Sequence, residues 1–327
     1  MLKPSQSELL CEGIERVYGD TYPIEAFYDA NYLRSSMEAG LLHCVAALDS
    51  NERVQGCMST VLESVGGLTA DGSALLVAPE YRGQGVVAQL GHHMVHTYQR
   101  LGLSGLHLYA LGLHDLVQKQ SGAAGAVVTG VLPAWFSKRA RVAGYEYPDA
   151  RIGAITLLMP LGGFPERRLY LPEEYAEVLQ TLYSRMPFSR QYMPTQSGSL
   201  PHACSQVDSD MGVDIGVVNR QRRLLVSKVG EDLAPKLAAQ LEQSAQAGEE
   251  VVYLDIPLDS PSSGYAVSCA QGLGFFFGAL MVERGATDRL RMQRYAKTLA
   301  APEHMVVASS EAKALLDFVL LDQQRSN

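Results

Sequence analysis

The feature that most constrains this chain is an apolar run that ends in a glycine-rich loop and continues as an amphipathic helix. Residues 74–78 are continuously apolar, which is typical of a strand buried on both faces of a sheet. Pro79 interrupts the run, and the loop that follows contains Gly83 and Gly85. Beyond it, apolar side chains recur three or four residues apart as far as Leu101, which predicts a helix. This order of elements predicts an α/β fold.

The loop at residues 82–87, Arg-Gly-Gln-Gly-Val-Val, has the composition of an anion-binding site. Glycine lets the backbone approach a ligand closely, and the first turn of a helix offers unpaired N–H groups at the positive end of its dipole. Such a loop suits a pyrophosphate. The acidic residue and third glycine of a dinucleotide fingerprint are missing, as is the Gly-Lys-Ser/Thr of a Walker loop. An ordinary glycine-rich turn is the remaining alternative.

Further apolar runs predict a mixed sheet in each half of the chain. In the first half, residues 42–48 and 54–62 predict a hairpin, and residues 106–113, 125–130 and 152–161 predict more strands. The second half repeats this rhythm, with strands predicted at 211–219, 222–229 and 251–257, and helices at 233–247 and 311–321. A length of 327 residues favours two domains, which we place at 1–162 and 163–327.

Composition excludes several classes of function. The net charge of −8 is spread over both halves, which argues against a nucleic-acid surface. No apolar run reaches the length of a membrane span, and residues 1–4 do not begin a signal peptide. Five scattered cysteines without a CxxC pair indicate neither a disulfide framework nor a zinc site. We therefore expect a cytoplasmic protein without a bound metal.

The segment from residue 77 to residue 87 resembles the central motif of the GNAT (N-acetyltransferase) superfamily, Q/R-x-x-G-x-G/A, which follows that family's fourth strand. The order of elements over residues 8–160 is also similar. The resemblance implies two tandem GNAT-like domains of mixed α/β sheet, and acetyl-CoA or another acyl-CoA as co-substrate. Val87 departs from the family's Gly or Ala, and its branched side chain would crowd a pyrophosphate.

A second set of residues is similar to a tandem-domain bacterial group within that superfamily. It consists of residues 114–119, residues 274–277 (Gly-Phe-Phe-Phe) and residues 290–295. The second domain is predicted to be degenerate, because Gly230 is followed by Glu231 and Asp232 where the phosphate loop would be. Two carboxylates there would cap the next helix but repel a pyrophosphate. We expect this domain to pack on the first one or to form a wall of the acceptor cleft.

Site residues follow from the resemblance and from side-chain chemistry. The family's strand N–H that binds the thioester carbonyl falls near Leu76 and Val77. His114 is the candidate base, because the pKa of histidine lies near working pH, and Tyr109 is the candidate acid. A capping histidine and a core tyrosine are the alternatives. The residues assigned to the coenzyme are Leu76, Val77, Arg82, Gly83, Gln84, Gly85, Val86, Val87, Gln118 and Ser121.

The function that the sequence predicts is direct acyl transfer from acyl-CoA to a small amine or amino-acid-like acceptor, without nucleic acid or membrane as partner. Two alternatives stay open: a transferase that uses another activated donor such as a carrier-protein thioester, and a CoA-binding or wholly non-catalytic regulatory protein. The family's usual catalytic Glu and Tyr are not evident, since residues 68–77 offer only Asp71 as a carboxylate. Whether the chain forms a homodimer is also open. The loop at 187–201 is expected to reach the first domain.

Overall fold

The structure is a computed structural model, which describes residues 1–22, 24–139, 149–195, 199–204 and 207–326. Part of the predicted loop at 187–201, residues 196–198, lies outside the described residues. None of the helices that these ranges form combines the length and apolar character needed to cross a lipid bilayer.

The first half folds in the predicted order, although the strands predicted at 74–78 and 125–130 are longer in the structure. A β–α alternation follows an N-terminal helix pair, as the pattern of apolar residues indicates. Its elements are α1 (Ser7–Tyr18), α2 (Ala30–Glu38), β1 (Leu42–Leu48), β2 (Val54–Val61), β3 (Thr69–Val77), α3 (Val86–Arg100), β4 (Gly105–Leu111), α4 (Leu116–Ala123), β5 (Val127–Phe136) and β6 (Ile152–Pro160). Strand β3, predicted at 74–78, begins five residues earlier in the structure, at Thr69.

The second half begins with a short two-stranded sheet and then repeats the strand–helix alternation. Its elements are β7 (Arg168–Tyr170), α5 (Ala176–Tyr183), β8 (Gln191–Met193), β9 (Asp210–Gly216), β10 (Gln221–Lys228), α6 (Leu233–Gln246), β11 (Val251–Pro257), α7 (Ser263–Gln271), β12 (Phe276–Arg284), β13 (Thr287–Tyr295) and α8 (Ser310–Arg325). Strand β8 lies within the predicted loop and pairs in parallel with β7.

One mixed sheet of eleven strands runs through both halves of the described chain, in the order β1-β2-β3-β4-β6-β5-β12-β13-β11-β10-β9. The order contains an internal repeat. Read from each outer edge inward, β2-β3-β4-β6-β5 in the first half corresponds to β9-β10-β11-β13-β12 in the second. In both, a parallel pair joined by a helix is followed by an antiparallel pair. The predicted α/β class and mixed sheet are confirmed.

The two halves meet where β5 crosses β12. The pairing there is brief, with Ala279 opposite Gly130. A Cβ atom on Gly130 would lie 2.3 Å from the Cβ of Ala279 and 2.4 Å from the Gly278 carbonyl oxygen. Glycine at this position is therefore required by the close approach of the two strands, since any side chain would push them apart.

The core is continuous across this junction. A single cluster of buried apolar side chains extends from Val45 in β1 to Val319 in α8, so both halves contribute to it. Polar contacts also cross the junction: Gln293 donates to the Val131 carbonyl at 3.1 Å, and Arg151 pairs with Glu250 at 2.7 Å. A second cluster packs α1 and α2 on β1–β3. The domain boundary at 162/163 stays a prediction, and the shared core makes the halves interdependent.

We expect Gly130→Ala to destabilise the protein by about 1–3 kcal/mol, because its methyl group overpacks the junction between β5 and β12. The measurement is the free energy of unfolding in urea. Gly91→Ala in α3 is the matched control, since its Cβ would meet nothing within 4 Å. There a helix-favouring alanine should leave stability equal or raise it by up to about 1 kcal/mol. Equal effects of the two substitutions would contradict the packing argument.

Candidate functional site

A gap opens between β3 and β4, and a large cavity occupies it. The two strands pair in parallel through Thr69↔Gly105, Ala70↔Leu106 and Asp71↔His107, and then separate. The cavity has a volume of about 1120 Å³. It is lined by β3, by the end of β4, by the loop before α3 and by the start of α4. The divergence of the two strands therefore creates the space in which a ligand can bind.

The glycine-rich loop opens onto this cavity. Gly83 and Gly85 have φ angles of +76° and +78°, a backbone conformation that glycine adopts without strain. Gly85 is the N-cap of α3 and makes no side-chain cap hydrogen bond. The first bond of the helix joins the Gln89 N–H to the Gly85 carbonyl oxygen, at 3.2 Å. The N–H groups before Gln89 thus lie at the positive end of the helix dipole, on the cavity wall.

Two polar side chains of the loop hold its backbone in place. The Arg82 Nε donates to the Val77 carbonyl oxygen at 3.3 Å, and the Gln84 amide donates to the Glu80 carbonyl oxygen at 2.9 Å. Both side chains are largely exposed to solvent. Val86 is buried, whereas Val87 is half-buried and borders the cavity. The loop conformation is therefore supported by hydrogen bonds from its own side chains to nearby backbone carbonyl oxygens.

The end of β3 turns one backbone donor toward the gap. The Ala78 N–H bonds to the Gln55 carbonyl oxygen at 2.9 Å, on the side of β2. Successive N–H groups of a strand point to opposite edges, so the Val77 N–H points to the side from which β4 has separated. Leu76 is buried, and both residues border the cavity. The expectation that a donor near Leu76 and Val77 binds the thioester carbonyl stays a prediction, and the Val77 N–H is the group available for it.

The equivalent helix start in the second half is closed by the protein itself. Asp232 accepts from the Ser209 N–H at 2.8 Å and pairs with Lys236 at 2.7 Å. The Gly230 N–H donates to the Ser209 hydroxyl at 2.8 Å. A Cβ atom on Gly230 would lie 1.9 Å from the Val207 carbonyl oxygen, so the chain covers this loop directly. The Gly230 N–H is thus engaged within the protein, and the Asp232 carboxylate, which does not cap α6, places a negative charge at this helix start.

Residues of α4 and the turn before it divide into two groups. His114 and Ser121 border the cavity, as does Val117 between them. Gln118 is buried and does not border it. Its amide nitrogen donates to the Val306 carbonyl oxygen at 2.8 Å, and its amide oxygen accepts from the Ala308 N–H at 2.9 Å. Gln118 thus anchors the segment before α8, and its amide is already engaged by that contact.

Tyr109 belongs to a buried polar network that joins the two halves. Its hydroxyl donates to Asp71 Oδ1 at 3.2 Å and accepts from Arg291 Nη1 at 3.3 Å. Its ring stacks on Trp135 at 4.5 Å between centroids. Asp71 also forms an ion pair with Arg284, which is 4% exposed. The hydroxyl at the end of the gap is therefore held between a carboxylate and a guanidinium.

These contacts decide the ionisation of both groups. Burial alone would raise the pKa of Asp71, but the adjacent Arg284 guanidinium overcomes this effect and holds that pKa below its usual range. Burial raises the pKa of Tyr109, and the negative charge of Asp71 adds to the shift. Asp71 is accordingly ionised at neutral pH, and Tyr109 keeps its proton. A carboxylate with so low a pKa is a weak base.

The second half supplies one wall of the cavity. Its side chains face the gap from β9, β10, β11 and the end of β12, and the residues are Asp214, Ile215, Val217, Asn219, Gln221, Arg223, Tyr253 and Arg284. Sequence reasoning expected the second half to form a wall of the acceptor cleft, but it named none of these residues. Its one signal on the facing strand was Asp71, the single carboxylate in residues 68–77. The loop at 187–201 was expected to reach the first domain, but none of its described residues borders the cavity; Phe188 packs on Phe164.

No group of three or more metal-ligating side chains is found among the described residues. The His92 and His96 rings of α3 lie 5.2 Å apart, and no third side chain completes a metal-binding group with them in the described part of the chain.

Neither the scan against protein-family models nor the search of curated proteins returns a match. The chain is similar to solved structures described as GNAT acetyltransferases. One, from Desulfovibrio desulfuricans, is 19% identical, with 49% of this chain and 96% of that one covered at a TM-score of 0.37. The ribosomal-protein-S18-alanine N-acetyltransferase of Escherichia coli is 13% identical (50% and 93% covered, TM-score 0.39). A spermidine/spermine N-acetyltransferase of Vibrio cholerae is 13% identical (49% and 92%, 0.38). Because the sequence identities and TM-scores are this low, function has to be argued from the site.

We expect Asp71→Asn to lower the melting temperature at pH 7 by about 3–10 °C, because it leaves buried Arg284 short of one counter-charge. The folded-state pKa of Asp71 is lowered, so its stabilisation is present above the unfolded pKa of about 4 and is lost as pH falls. The difference between wild type and variant should therefore shrink below about pH 4. Asp317→Asn, which removes an exposed ion pair, is the control with little effect. A difference that grows in acid would overturn this assignment.

Proposed function

We propose that this chain is an acyl-CoA-dependent N-acyltransferase, with acetyl-CoA as the expected donor and a small amine or amino-acid-like molecule as acceptor. The observation that carries the proposal is one continuous cavity. At one end it meets an open helix start with two glycines of positive φ, and at the other it fills the gap between β3 and β4. An anion site joined to a backbone donor and a second compartment is what transfer from a CoA thioester requires.

The donor half of the site would use residues 82–87 for the pyrophosphate. The Val77 N–H would bind the thioester carbonyl oxygen and stabilise the oxyanion that forms there. Ser121 borders the cavity within reach of the coenzyme's arm, whereas Gln118, whose amide is engaged elsewhere, is left out of our assignment. The cavity is larger than the pockets that usually hold one ligand, about 300–1,000 Å³, which leaves room for an acceptor.

The chemistry needs a neutral amine, a stabilised oxyanion and a proton for the thiolate. The amine nitrogen attacks the thioester carbon, the C–S bond breaks, and one amine proton leaves. His114, on the cavity wall, is our proposed base for that proton. Tyr109 is the proposed acid, since it keeps its proton. The ionised Asp71 would favour an ammonium group in the cavity before it loses its proton.

The second half would serve as a degenerate copy that completes the acceptor side. Its own helix start is covered by residues 207–209 and by Asp232, which supports a single coenzyme site, in the unit 1–162. The unit 163–327 contributes Arg223, Tyr253 and Arg284 to the cavity wall. We therefore assign acyl-donor binding to the first unit and acceptor shape to both.

One observation favours a CoA-binding protein without catalysis as a second candidate. The Tyr109 hydroxyl is engaged by both Asp71 and Arg291, which restrains it from moving to a leaving thiolate. Release of free thiol from acetyl-CoA in the presence of an amine panel separates the two functions. Binding of CoA without release would favour the second candidate.

We expect CoA to raise the melting temperature of the full chain, and Gly85→Asp to abolish this shift, because a carboxylate at the helix start repels the pyrophosphate. Gly85→Asn is the matched control. It has nearly the same shape and tolerates the positive φ, but it lacks the charge, so it should retain most of the shift. Differential scanning fluorimetry with and without CoA measures both. A shift that persists in the aspartate variant would mean that CoA binds elsewhere.

We expect His114→Ala to lower kcat by about 10²–10⁴-fold at neutral pH with little change in CoA affinity, because only the proton transfer is lost. Turnover is followed by thiol release between about pH 6 and pH 9, and CoA affinity by calorimetry. His96→Ala, on an exposed part of α3, is the control and should keep wild-type turnover. Normal turnover of His114→Ala across this range would assign His114 a structural role.

A further inference from the structure

The cavity wall from the second half contains an arginine whose bonding is incomplete. Arg223 is in β10, directly opposite Asp214 of β9 and Tyr253 of β11 in the sheet register. Directly opposed residues lie on one face, and all three border the cavity. The Arg223 side chain is 19% exposed. Its position therefore places a guanidinium within the proposed acceptor compartment.

The ion pairs of Arg223 are weaker than those of its neighbour Arg284. Arg284 is 4% exposed and pairs with both Asp71 and Glu63, the latter at 2.8 Å. Arg223 lies 3.4 Å from the same Glu63 oxygen and 3.0 Å from Asp214. The Asp214 side chain is 61% exposed, and an exposed ion pair contributes little free energy. Arg223 can therefore exchange this partner at small cost.

Unpaired donors surround the same place. The Arg223 Nε is buried and has no hydrogen-bond partner among the described residues. Within the described structure, the Trp135 indole N–H and the Tyr253 hydroxyl are also buried without a hydrogen-bond partner. The rings of Trp135 and Tyr253 lie 5.3 Å apart. Arg and Trp nitrogens can only donate, so a partner has to supply acceptor oxygens. Buried donors are normally satisfied, and three together beside a cavity point to a ligand.

Charge balance identifies the kind of acceptor. Behind the exposed Asp214, two guanidiniums (Arg223 and Arg284) face two carboxylates (Glu63 and Asp71), so this part of the wall is neutral. A molecule with one ammonium and one carboxylate keeps that balance. Its carboxylate would take the place of the Asp214 carboxylate on Arg223, a planar partner that suits a guanidinium.

We propose that the acceptor is an amine that also carries a carboxylate, and that Arg223 is the residue that recognises this carboxylate in competition with Asp214. The proposal rests on the proposed acyl transfer and names its substrate class. The aromatic side chains of Trp135, Tyr109 and Tyr253 form the apolar part of the same wall. The acceptor's carbon skeleton would pack against them.

The experiment compares amines that differ by one carboxylate. The pairs are L-phenylalanine and phenethylamine, 4-(aminomethyl)benzoate and benzylamine, and 5-aminopentanoate and butylamine, which vary the distance between the two charges. Binding to the CoA-saturated full chain is measured by calorimetry, and turnover with acetyl-CoA by thiol release. In the wild type, we expect at least one carboxylate-bearing member to bind about 10–100-fold more tightly than its partner, the usual effect of a charged hydrogen bond.

Substitutions at two positions, Arg223 and Asp214, then change this preference in opposite directions. Arg223→Gln should remove it by weakening the carboxylate-bearing amine alone, and Arg223→Lys should restore part of it. Asp214→Asn removes the competing carboxylate, so it should tighten binding of the carboxylate-bearing amine about two- to fivefold. A merely structural role of the pair would weaken both amines in every variant.

Three results would overturn the proposal: no carboxylate-bearing amine binds the wild type, the partners without carboxylate bind as well or better, or the preference survives in Arg223→Gln. Failure of the proposed acyl transfer would be seen separately. In that case, CoA would not stabilise the protein, or no amine of either kind would release thiol. If the amines without a carboxylate are turned over and CoA binding is unchanged, the proposed acyl transfer stands. Only the proposed preference for a carboxylate-bearing acceptor would then be wrong.

Discussion

The close approach of β5 and β12 at Gly130 is the constraint on which the rest of the molecule depends. Because a side chain is excluded there, two sheets of the same strand order join into one, and their cores merge. The junction also brings the end of β12 against the start of β3. Arg284 then reaches Asp71 and Glu63 across more than two hundred residues of sequence. The cavity wall is thus a consequence of how the halves pack.

The internal repeat has diverged most at the two helix starts. In the first half, Gly85 leaves the N-terminal donors of α3 without a side-chain cap, and the loop before them borders the cavity. In the second half, Asp232 and Ser209 use the corresponding positions for internal hydrogen bonds. The two helix starts therefore differ in what lies over them: residues 207–209 cover the loop before α6, whereas the loop before α3 borders the cavity.

Much of the fold could be predicted from the sequence, because the apolar periodicity of helices such as α3 and α6 is local information. The loop at 82–87 was found for the same reason. The start of β3 was missed, since Asp71, Gly72 and Ser73 interrupt the apolar run that marks a buried strand. The assignment of Gln118 to the coenzyme did not anticipate its contacts with Val306 and Ala308, which join residues far apart in sequence. Such long-range pairs leave no local pattern.

The positions of Arg223 and Arg284 on the cavity wall could not be predicted from the sequence for a further reason. In sequence, both arginines look like the polar residues that alternate with apolar ones on a half-exposed strand. Tertiary packing converts them into buried cations, and a buried cation needs a carboxylate close by. Arg284 has two such partners, whereas Arg223 shares one of them and relies on solvent-exposed Asp214 for the other. Because of this difference in ion pairing, the Arg284 guanidinium holds the two halves together, whereas the Arg223 guanidinium remains available to a ligand.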